Sequence, residues 1–305
     1  MRRGGVGVKT FRQSLTIGHP PRFVPQYADL MGEPEPVTSY FERVSDERFM
    51  PTSSASGGWD PTELHFSPLA GLIVHAIEEH ATKSTVKNMV LSRLSYEILG
   101  RLAIEECEIR VEVTRPGRTI QLVEATVTIA GRTAVRASAW YLASLDTGSV
   151  AGGASANLPA PDTLARWPMT SVWPGGFVAS LDVRPTVPVQ RGRTTAWLTT
   201  EVDLVAAEEV SPLARFVALV DAANGIAVRE SPSQWMFPNV DLGIHLHRQP
   251  EGRWVGLDTT VTFGPTGQGV TSAVLHDVIG PVGFAQQMLT VRPIDVSSSG
   301  MTVSG

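Results

Sequence analysis

The sequence predicts an α+β protein made of two copies of one unit, a long buried helix with an antiparallel sheet. The tetrapeptide Ser-Pro-Leu-Ala occurs at residues 67–70 and again at 211–214, an offset of 144 residues. Each copy opens a strongly apolar run that fits a buried helix. Each run is followed by segments in which apolar and polar residues alternate, as they do in strands.

Composition limits the class of protein. The chain has 305 residues, which suggests about two domains, and 42% of them are hydrophobic. A formal net charge of −5 argues against a nucleic-acid partner, which requires clustered Lys and Arg. Cys107 is the only cysteine, which excludes an internal disulfide and a zinc site built on paired cysteines. Without an apolar run long enough for a bilayer or a secretory signal, we expect a cytoplasmic protein with no membrane association.

A segment rich in Gly, Ala, Ser and Pro divides the chain, and its composition is that of a linker. We predict a loose N-terminal arm, a first repeat, the linker, a second repeat and a flexible tail. Their bounds are 1–34, 35–143, 144–175, 176–293 and 294–305.

Both predicted helices carry start signals. Ser67 and Ser211 are placed to cap the helices, and the proline after each serine fits the first helical position. We expect the second helix to continue to Gly225 and to be buried, because it is apolar on nearly every face.

Four strand-like segments follow each helix, and one precedes it. Their alternation predicts a four-stranded antiparallel meander in each repeat. The segments after the first helix are 91–99, 104–115, 118–130 and 132–143; those after the second are 240–248, 253–264, 269–277 and 280–292; the leading segments are 37–44 and 177–187.

This tandem arrangement resembles the double-hotdog proteins of the acyl-CoA thioesterase II type. The resemblance covers residues 38–293, and its most telling segments are PGRTIQLVEATV, FPNVDLGIHLHR, WVGLDTTVTFGPTGQGVTSAVLHD and GPVGFAQQMLTVRP. It implies a tandem hotdog fold whose two sheets join side by side, hydrolysis of an acyl-CoA or carrier-bound thioester, and pairing of chains into a homodimer. No cofactor and no metal are expected.

The resemblance also implies a catalytic site in the second repeat. In that family an Asp on the helix, a Thr at the start of the next strand and a Gln on the last strand hold the attacking water. The Asp falls on Asp221 and the Gln on Gln287, whereas Asn239 occupies the Thr position. His65 and Gly71, before and within the first helix, are the candidates for substrate binding.

Asp221 also stands out by its own surroundings. A carboxylate in an apolar helix needs a polar partner, or its pKa rises. The structural alternative to a catalytic role is a hydrogen bond to a backbone donor, to Arg215 or to Asn224. The repeat favours the catalytic role, because the first half has mostly apolar residues at the matching positions. With offsets of 144, 148 and 149, Asp221, Asn239 and Gln287 align with Ile77, Leu91 and Ser138.

The residue types suit thioester hydrolysis. A thiol is a good leaving group, so a carboxylate that acts as general base on water suffices, with the carbonyl polarised by backbone N–H groups at a helix start. Duplication followed by loss of one site, that of the first half, explains the asymmetry between the halves.

Two other functions remain open at this point. Asp60 and His65 have the spacing of hotdog enoyl-CoA hydratases, although the Asn-Pro between them in those enzymes is absent. A protein that binds an acyl ligand without turning it over is favoured by Asn239 in place of Thr. His245 and His247 share one face of a strand, but without a third ligand they predict no metal site.

Overall fold

The computed structural model describes residues 38–82 and 88–294. The predicted arm lies outside the described residues, and so does the predicted tail apart from Ile294. In the described part of the chain, no helix is both long enough and apolar enough to cross a bilayer.

Two helices form the centre of the molecule. The described helices are α1 Phe66–Thr82, α2 Gly176–Ala179, α3 Pro212–Val220 and α4 Ala223–Ile226. α1 and α3 pack directly on each other, and Gly71 of α1 makes this possible. A Cβ atom at Gly71 would lie 2.5 Å from the Cβ of Ala218, so the helix backbones meet here without room for a side chain.

The start of α3 confirms the sequence signal, whereas the start of α1 and the end of α3 differ from it. Ser211 caps α3 by accepting a hydrogen bond from the amide of Ala214 at 3.0 Å. Ser67 lies inside α1, which begins one residue earlier, and His65 takes the capping place. The prediction that Gly225 ends the second helix is wrong: α3 ends at Val220, and Gly225 lies in α4.

The strands alternate between buried and exposed residues as the sequence predicts. They are β1 Ser39–Ser45, β2 Arg48–Pro51, β3 Met89–Ile98, β4 Cys107–Arg115, β5 Ile120–Ile129, β6 Arg132–Ala143, β7 Leu181–Pro185, β8 Arg193–Thr200, β9 Asp203–Val205, β10 Trp235–Met236, β11 Asp241–Leu246, β12 Val255–Phe263, β13 Gln268–Asp277, β14 Gly280–Thr290 and β15 Arg292–Pro293.

The strand order corrects the predicted meander. The main sheet of the described residues runs β7-β8-β12-β13-β14-β11-β3-β6-β5-β4-β2-β1-β9. In each half three strands do form a meander, but the first strand after the helix pairs with the last one, β3 with β6 and β11 with β14. Alternation specifies which residues of a strand face the core, and it carries no information on which strand lies beside it.

The two halves share one sheet, which confirms the prediction that their sheets join side by side. β11 of the second half pairs antiparallel with β3 of the first, placing Ile244 opposite Leu94. Both side chains are fully buried. At the far edge β9, a segment of the second half, pairs in parallel with β1. Each half therefore covers a strand edge of the other.

The segment predicted as a linker is described throughout. Between Ala143 and Gly176 it forms three short 3-10 turns and one isolated bridge, from Trp167 to Val183. Its last part is anchored in the core, because the buried indole of Trp173 donates a hydrogen bond to the carbonyl of Gly225 at 2.9 Å.

Candidate functional site

The site is built around Asp221, which lies at the break between α3 and α4. Asp221 is the C-cap of α3, with φ −67° and ψ −10°, and α4 begins two residues later. Its surroundings are apolar, and only 3% of the residue is exposed. The buried carboxylate therefore depends on side chains from other elements for its hydrogen bonds.

Two amide side chains meet one oxygen of this carboxylate. Gln287 donates from Nε2 to Asp221 Oδ1 at 2.7 Å, and Asn239 donates from Nδ2 to the same oxygen at 2.8 Å. Asn239 also donates to the carbonyl of Asp241 at 2.9 Å, which fixes its orientation. Neither Arg215 nor Asn224, the structural alternatives, donates a hydrogen bond to this carboxylate.

The sheet places both amides beside the helix end. Gln287 is on the inner face of β14 and is 1% exposed, whereas its neighbours Gln286 and Met288 are exposed on the outer face. Asn239 lies two residues before β11 and bridges to Leu289, on the same strand as Gln287. The pairing of β11 with β14 thus brings two residues 48 positions apart to one carboxylate.

The first half contributes His65 to the same site. Its Nδ1 lies 3.8 Å from Asp221 Oδ2 and accepts a hydrogen bond from the amide of Ser67 at 3.1 Å. Because Nδ1 is the acceptor, the ring proton of the neutral imidazole is on Nε2. The ring packs against Phe177 with centroids 4.2 Å apart. Asp221 thus faces the N-terminal end of α1, where the helix dipole is positive.

A cavity of about 340 Å³ opens onto these groups; we call it the catalytic cavity, after the role that we propose for it below. Asp221, Asn239 and His65 line it from inside, and Asp60 and Arg101 lie at its charged rim. Arg101 is 58% exposed and forms an ion pair with Asp60 at 3.3 Å. Arg101 was not identified from the sequence, because a single exposed Arg in a loop carries no pattern.

Burial shifts the pKa values of the two ionisable groups inside the cavity. Removal from water raises the pKa of Asp221 to about 7, and the hydrogen bonds from Gln287 and Asn239 oppose this shift. Burial lowers the pKa of His65 to about 3, so the imidazole is neutral near pH 7. The site therefore pairs a carboxylate that can exchange a proton near neutral pH with an uncharged imidazole.

Asp60 is engaged elsewhere. Its Oδ1 accepts hydrogen bonds from the amide and the hydroxyl of Thr62, at 2.8 and 2.6 Å. These bonds lower its pKa. Asp60 and His65 both line the catalytic cavity, yet the carboxylate nearest to His65 is that of Asp221.

Gly71, a candidate for substrate binding, lies apart from the cavity. It sits at the crossing of α1 and α3 against Ala214 and Ala218. Its place in the structure is thus explained by helix packing, and it does not line the catalytic cavity.

The comparison between the halves needs one correction. Ser138, aligned with Gln287 in the sequence, faces outward on β6 and borders a polar groove on the outer face. Ser95 pairs with Ser138 as Gly243 pairs with Gln286, so the residue that corresponds to Gln287 is Ala139. A shift of one residue in a strand moves a side chain to the opposite face. All three first-half positions, Ile77, Leu91 and Ala139, are buried and apolar.

The shared sheet around two central helices, with a buried acid at a cavity between the halves, is the architecture of a tandem hotdog thioester hydrolase. The chain belongs to the acyl-CoA thioesterase family: the profile of the acyl-CoA thioesterase N-terminal domain matches residues 55–142, and that of the C-terminal domain matches residues 161–291. This confirms the family that the sequence resembles.

Solved structures show the same fold at low sequence identity. A hot dog fold protein from Alicyclobacillus acidocaldarius superposes with a TM-score of 0.64, at 13% identity over 84% of this chain and 97% of that chain. A protein from Novosphingobium aromaticivorans that is named as a thioesterase gives a TM-score of 0.63, at 16% identity over 83% of this chain and 98% of that chain. Acyl-CoA thioesterase II from Mycobacterium marinum gives 0.55, at 14% identity over 84% and 96%. Among curated proteins, no sequence matches the chain.

Proposed function

We propose that the chain hydrolyses acyl-CoA thioesters at a single site in the second repeat, with Asp221 as the general base. The observation that carries this proposal is the division between the two oxygens of Asp221. Oδ1 accepts both amide hydrogen bonds, whereas Oδ2 accepts none from the described residues. Because Asp221 lines the catalytic cavity, Oδ2 is the oxygen available to a water molecule.

The proposed reaction is a direct attack by water. The water donates a hydrogen bond to Asp221 Oδ2 and attacks the carbonyl carbon of the thioester while the carboxylate takes its proton. A C–O bond forms, and the tetrahedral intermediate then collapses with cleavage of the C–S bond. The proton passes from Asp221 to the thiolate, giving a carboxylic acid and a thiol. The pKa of Asp221 near 7 suits both transfers.

The carbonyl oxygen of Gln287 supports this arrangement. Gln287 Oε1 is buried and has no hydrogen-bond partner among the described residues. A buried acceptor in this position usually meets water or a ligand. We assign it the second hydrogen of the attacking water, which leaves an oxygen lone pair directed at the substrate.

The thioester oxygen is expected to lie near the start of α1. The Nε2–H of His65 makes no hydrogen bond to the described residues, and His65 lines the catalytic cavity. A neutral N–H donor beside the positive end of a helix stabilises an oxyanion without adding a charge to the site. We propose that His65 donates to this oxygen as a substrate-binding residue.

The Asn at position 239 retains the hydrogen bond that a Thr hydroxyl would donate. Its amide reaches Asp221 Oδ1 at 2.8 Å, so the departure from the family pattern does not leave the carboxylate unpaired. The first half offers no comparable set, because Ile77, Leu91 and Ala139 contribute no polar atom. This asymmetry supports one active site per chain.

Thiol release from acyl-CoA substrates tests the proposal. We expect turnover by the wild type and a loss of about 10²–10⁴-fold in kcat for Asp221→Asn, the range for a general base. The exposed Asp203→Asn on β9 is the matched control and should retain full activity. Thermal unfolding checks that both variants fold.

Three outcomes would contradict the proposal. Equal rates for wild type and Asp221→Asn would remove Asp221 from the chemistry. Saturable binding of acyl-CoA without any thiol release would identify an acyl-binding protein. A decrease in the absorbance of an enoyl-CoA, without thiol release, would identify a hydratase.

A further inference from the structure

A second, larger cavity adjoins the catalytic cavity. Its volume is about 770 Å³, and three tryptophans line it, Trp59, Trp167 and Trp173. We call it the tryptophan cavity. Its apolar lining also includes Val172, Val228 and Met236, and its polar side chains are three serines, so none of the residues that line it is charged. It is formed largely by the segment between the two repeats and by the chain that follows α4.

Two residues line both cavities, Gly58 and Trp59. The ring of Trp59 packs edge-on against Trp173, with centroids 4.7 Å apart, and against Phe237 at 5.1 Å. The residues after Phe237 are Pro238 and Asn239, which line the catalytic cavity. The indole of Trp59 is therefore the wall between the two spaces, and it is only partly buried.

The backbone at Gly58 brings this wall close to the segment between the repeats. A Cβ atom at Gly58 would lie 3.1 Å from the carbonyl oxygen of Pro174 and 3.2 Å from the ring of Trp173. Trp173 itself is fixed by its hydrogen bond to Gly225 in α4. Trp173, on one side of this boundary, is thus held by a hydrogen bond, whereas the indole of Trp59 donates none to the described residues.

A thioester substrate has chemically different ends. The carrier end has amides and phosphates, which need polar partners, whereas an apolar acyl chain has no hydrogen bonds with water that the protein must replace. The polar rim of the catalytic cavity, where Arg101 is paired with Asp60 and Glu63, offers hydrogen-bond partners to the amides of the carrier end. The uncharged tryptophan cavity suits an apolar group of substantial size, and aromatic rings offer edges and faces to such a group.

We infer that the tryptophan cavity receives the acyl group of the substrate, past Trp59, and that the enzyme selects bulky uncharged acyl groups over acetyl. This inference rests on the proposed thioester hydrolysis at Asp221. An acetyl group would end in the catalytic cavity and gain nothing from the second one, whereas a dodecanoyl or phenylacetyl group would fill it.

The first test fills the cavity. Val228→Phe is expected to lower kcat/KM for dodecanoyl-CoA and phenylacetyl-CoA by about tenfold or more and to leave acetyl-CoA within about twofold. Met236→Trp, on another part of the wall, should act in the same way. Val278→Phe is the matched control, because Val278 is 52% exposed and lines neither cavity. Equal losses for all three substrates, or no loss for any, would overturn the inference.

The second test does not depend on turnover. Dodecanoic acid titrated into the wild type should change the tryptophan fluorescence saturably, and Val228→Phe should weaken this binding by about tenfold. Saturable binding without turnover would contradict the proposed hydrolysis and preserve the acyl site. Turnover without this binding, or with equal binding to Val228→Phe, would preserve the hydrolysis and overturn the acyl site.

Discussion

Gln287 holds Asp221 by two hydrogen bonds from one amide nitrogen, to the carboxylate oxygen Oδ1 at 2.7 Å and to the backbone carbonyl at 3.2 Å. A single side chain on β14 therefore fixes both the end of α3 and the orientation of the acid that follows it. Its other polar atom, Oε1, is buried and has no hydrogen-bond partner among the described residues.

This relationship predicts the effect of Gln287→Met. The variant keeps the volume of the side chain but removes the donor that lowers the pKa of Asp221. We expect kcat to fall by about 10²-fold and the pH profile to shift upward. Gln286→Met is the matched control, because this neighbour lies on the outer face of the same strand. An unshifted profile for Gln287→Met would show that the amide does not act on Asp221.

The pKa of Asp221 predicts the pH dependence of hydrolysis. A general base must be unprotonated, so kcat/KM should rise with pH and level off above about 7. His65 stays neutral over this range, since its pKa is lowered to about 3, and therefore adds no second inflection to the pH profile. Initial rates between pH 5 and pH 9 measure this profile, and a plateau already complete at pH 5 would contradict it.

The same shift predicts how stability depends on pH. The folded protein holds the proton of Asp221 up to about pH 7, whereas the unfolded chain releases it near the ordinary value of 3.8. The stabilisation of the folded state by the proton on Asp221 is therefore full below about pH 4 and is lost as the pH rises to about 7. Urea unfolding should show the difference between wild type and Asp221→Asn falling by at most about 1.4 kcal/mol per pH unit. A constant difference would refute the raised pKa.

His65 has two separable tasks, and two substitutions distinguish them. Asn at this position can still cap α1 by accepting from the amide of Ser67, but its side chain is too short to place an N–H where Nε2 of His65 lies, the donor that we assign to the thioester oxygen. His65→Asn should therefore unfold near the wild-type temperature while losing about 10²-fold in kcat. His65→Ala should lose both activity and about 1 kcal/mol of stability. Full activity in His65→Asn would exclude the role as donor.

Gly71 provides a test of packing against substrate binding. A Cβ atom there lies 2.5 Å from that of Ala218, so Gly71→Ala should destabilise the protein by about 1–3 kcal/mol as the helices separate. We expect KM to remain unchanged in the folded protein. Gly152→Ala, where nothing lies within 4 Å of the added atom, is the control. A higher KM at full stability would return Gly71 to the substrate-binding residues.

Much of the fold could be predicted because strands and buried helices leave regular patterns. The segment 132–143 is a strand over its whole predicted length, and the apolar runs after Ser67 and Ser211 are helical. Short strands such as β2 and β9 could not be found, since they exist only through pairing with distant residues. The break between α3 and α4 at Asp221 has no sequence signal either. The backbone angles of Asp221 itself stay in the helical region.

The site was only partly accessible from the sequence. A lone acid in an apolar helix indicates a buried polar contact, and that reasoning led to Asp221. The contact with His65 joins residues of different repeats, and the pairing of Asn239 with β14 depends on a strand order that alternation does not reveal. The alignment of the repeats matched Gln287 with Ser138 instead of Ala139 for a similar reason. Such an alignment does not record which face of the strand points to the core.

The exchange of strands between the halves also has a consequence for biosynthesis. The edge of β1 is covered by β9, and the edge of β3 by β11, so the first half has two open strand edges until residue 205 has left the ribosome and one until residue 246 has done so. Open edges can pair with those of another nascent chain. The first half can thus pair with another chain until β11 has emerged and covered its last open edge.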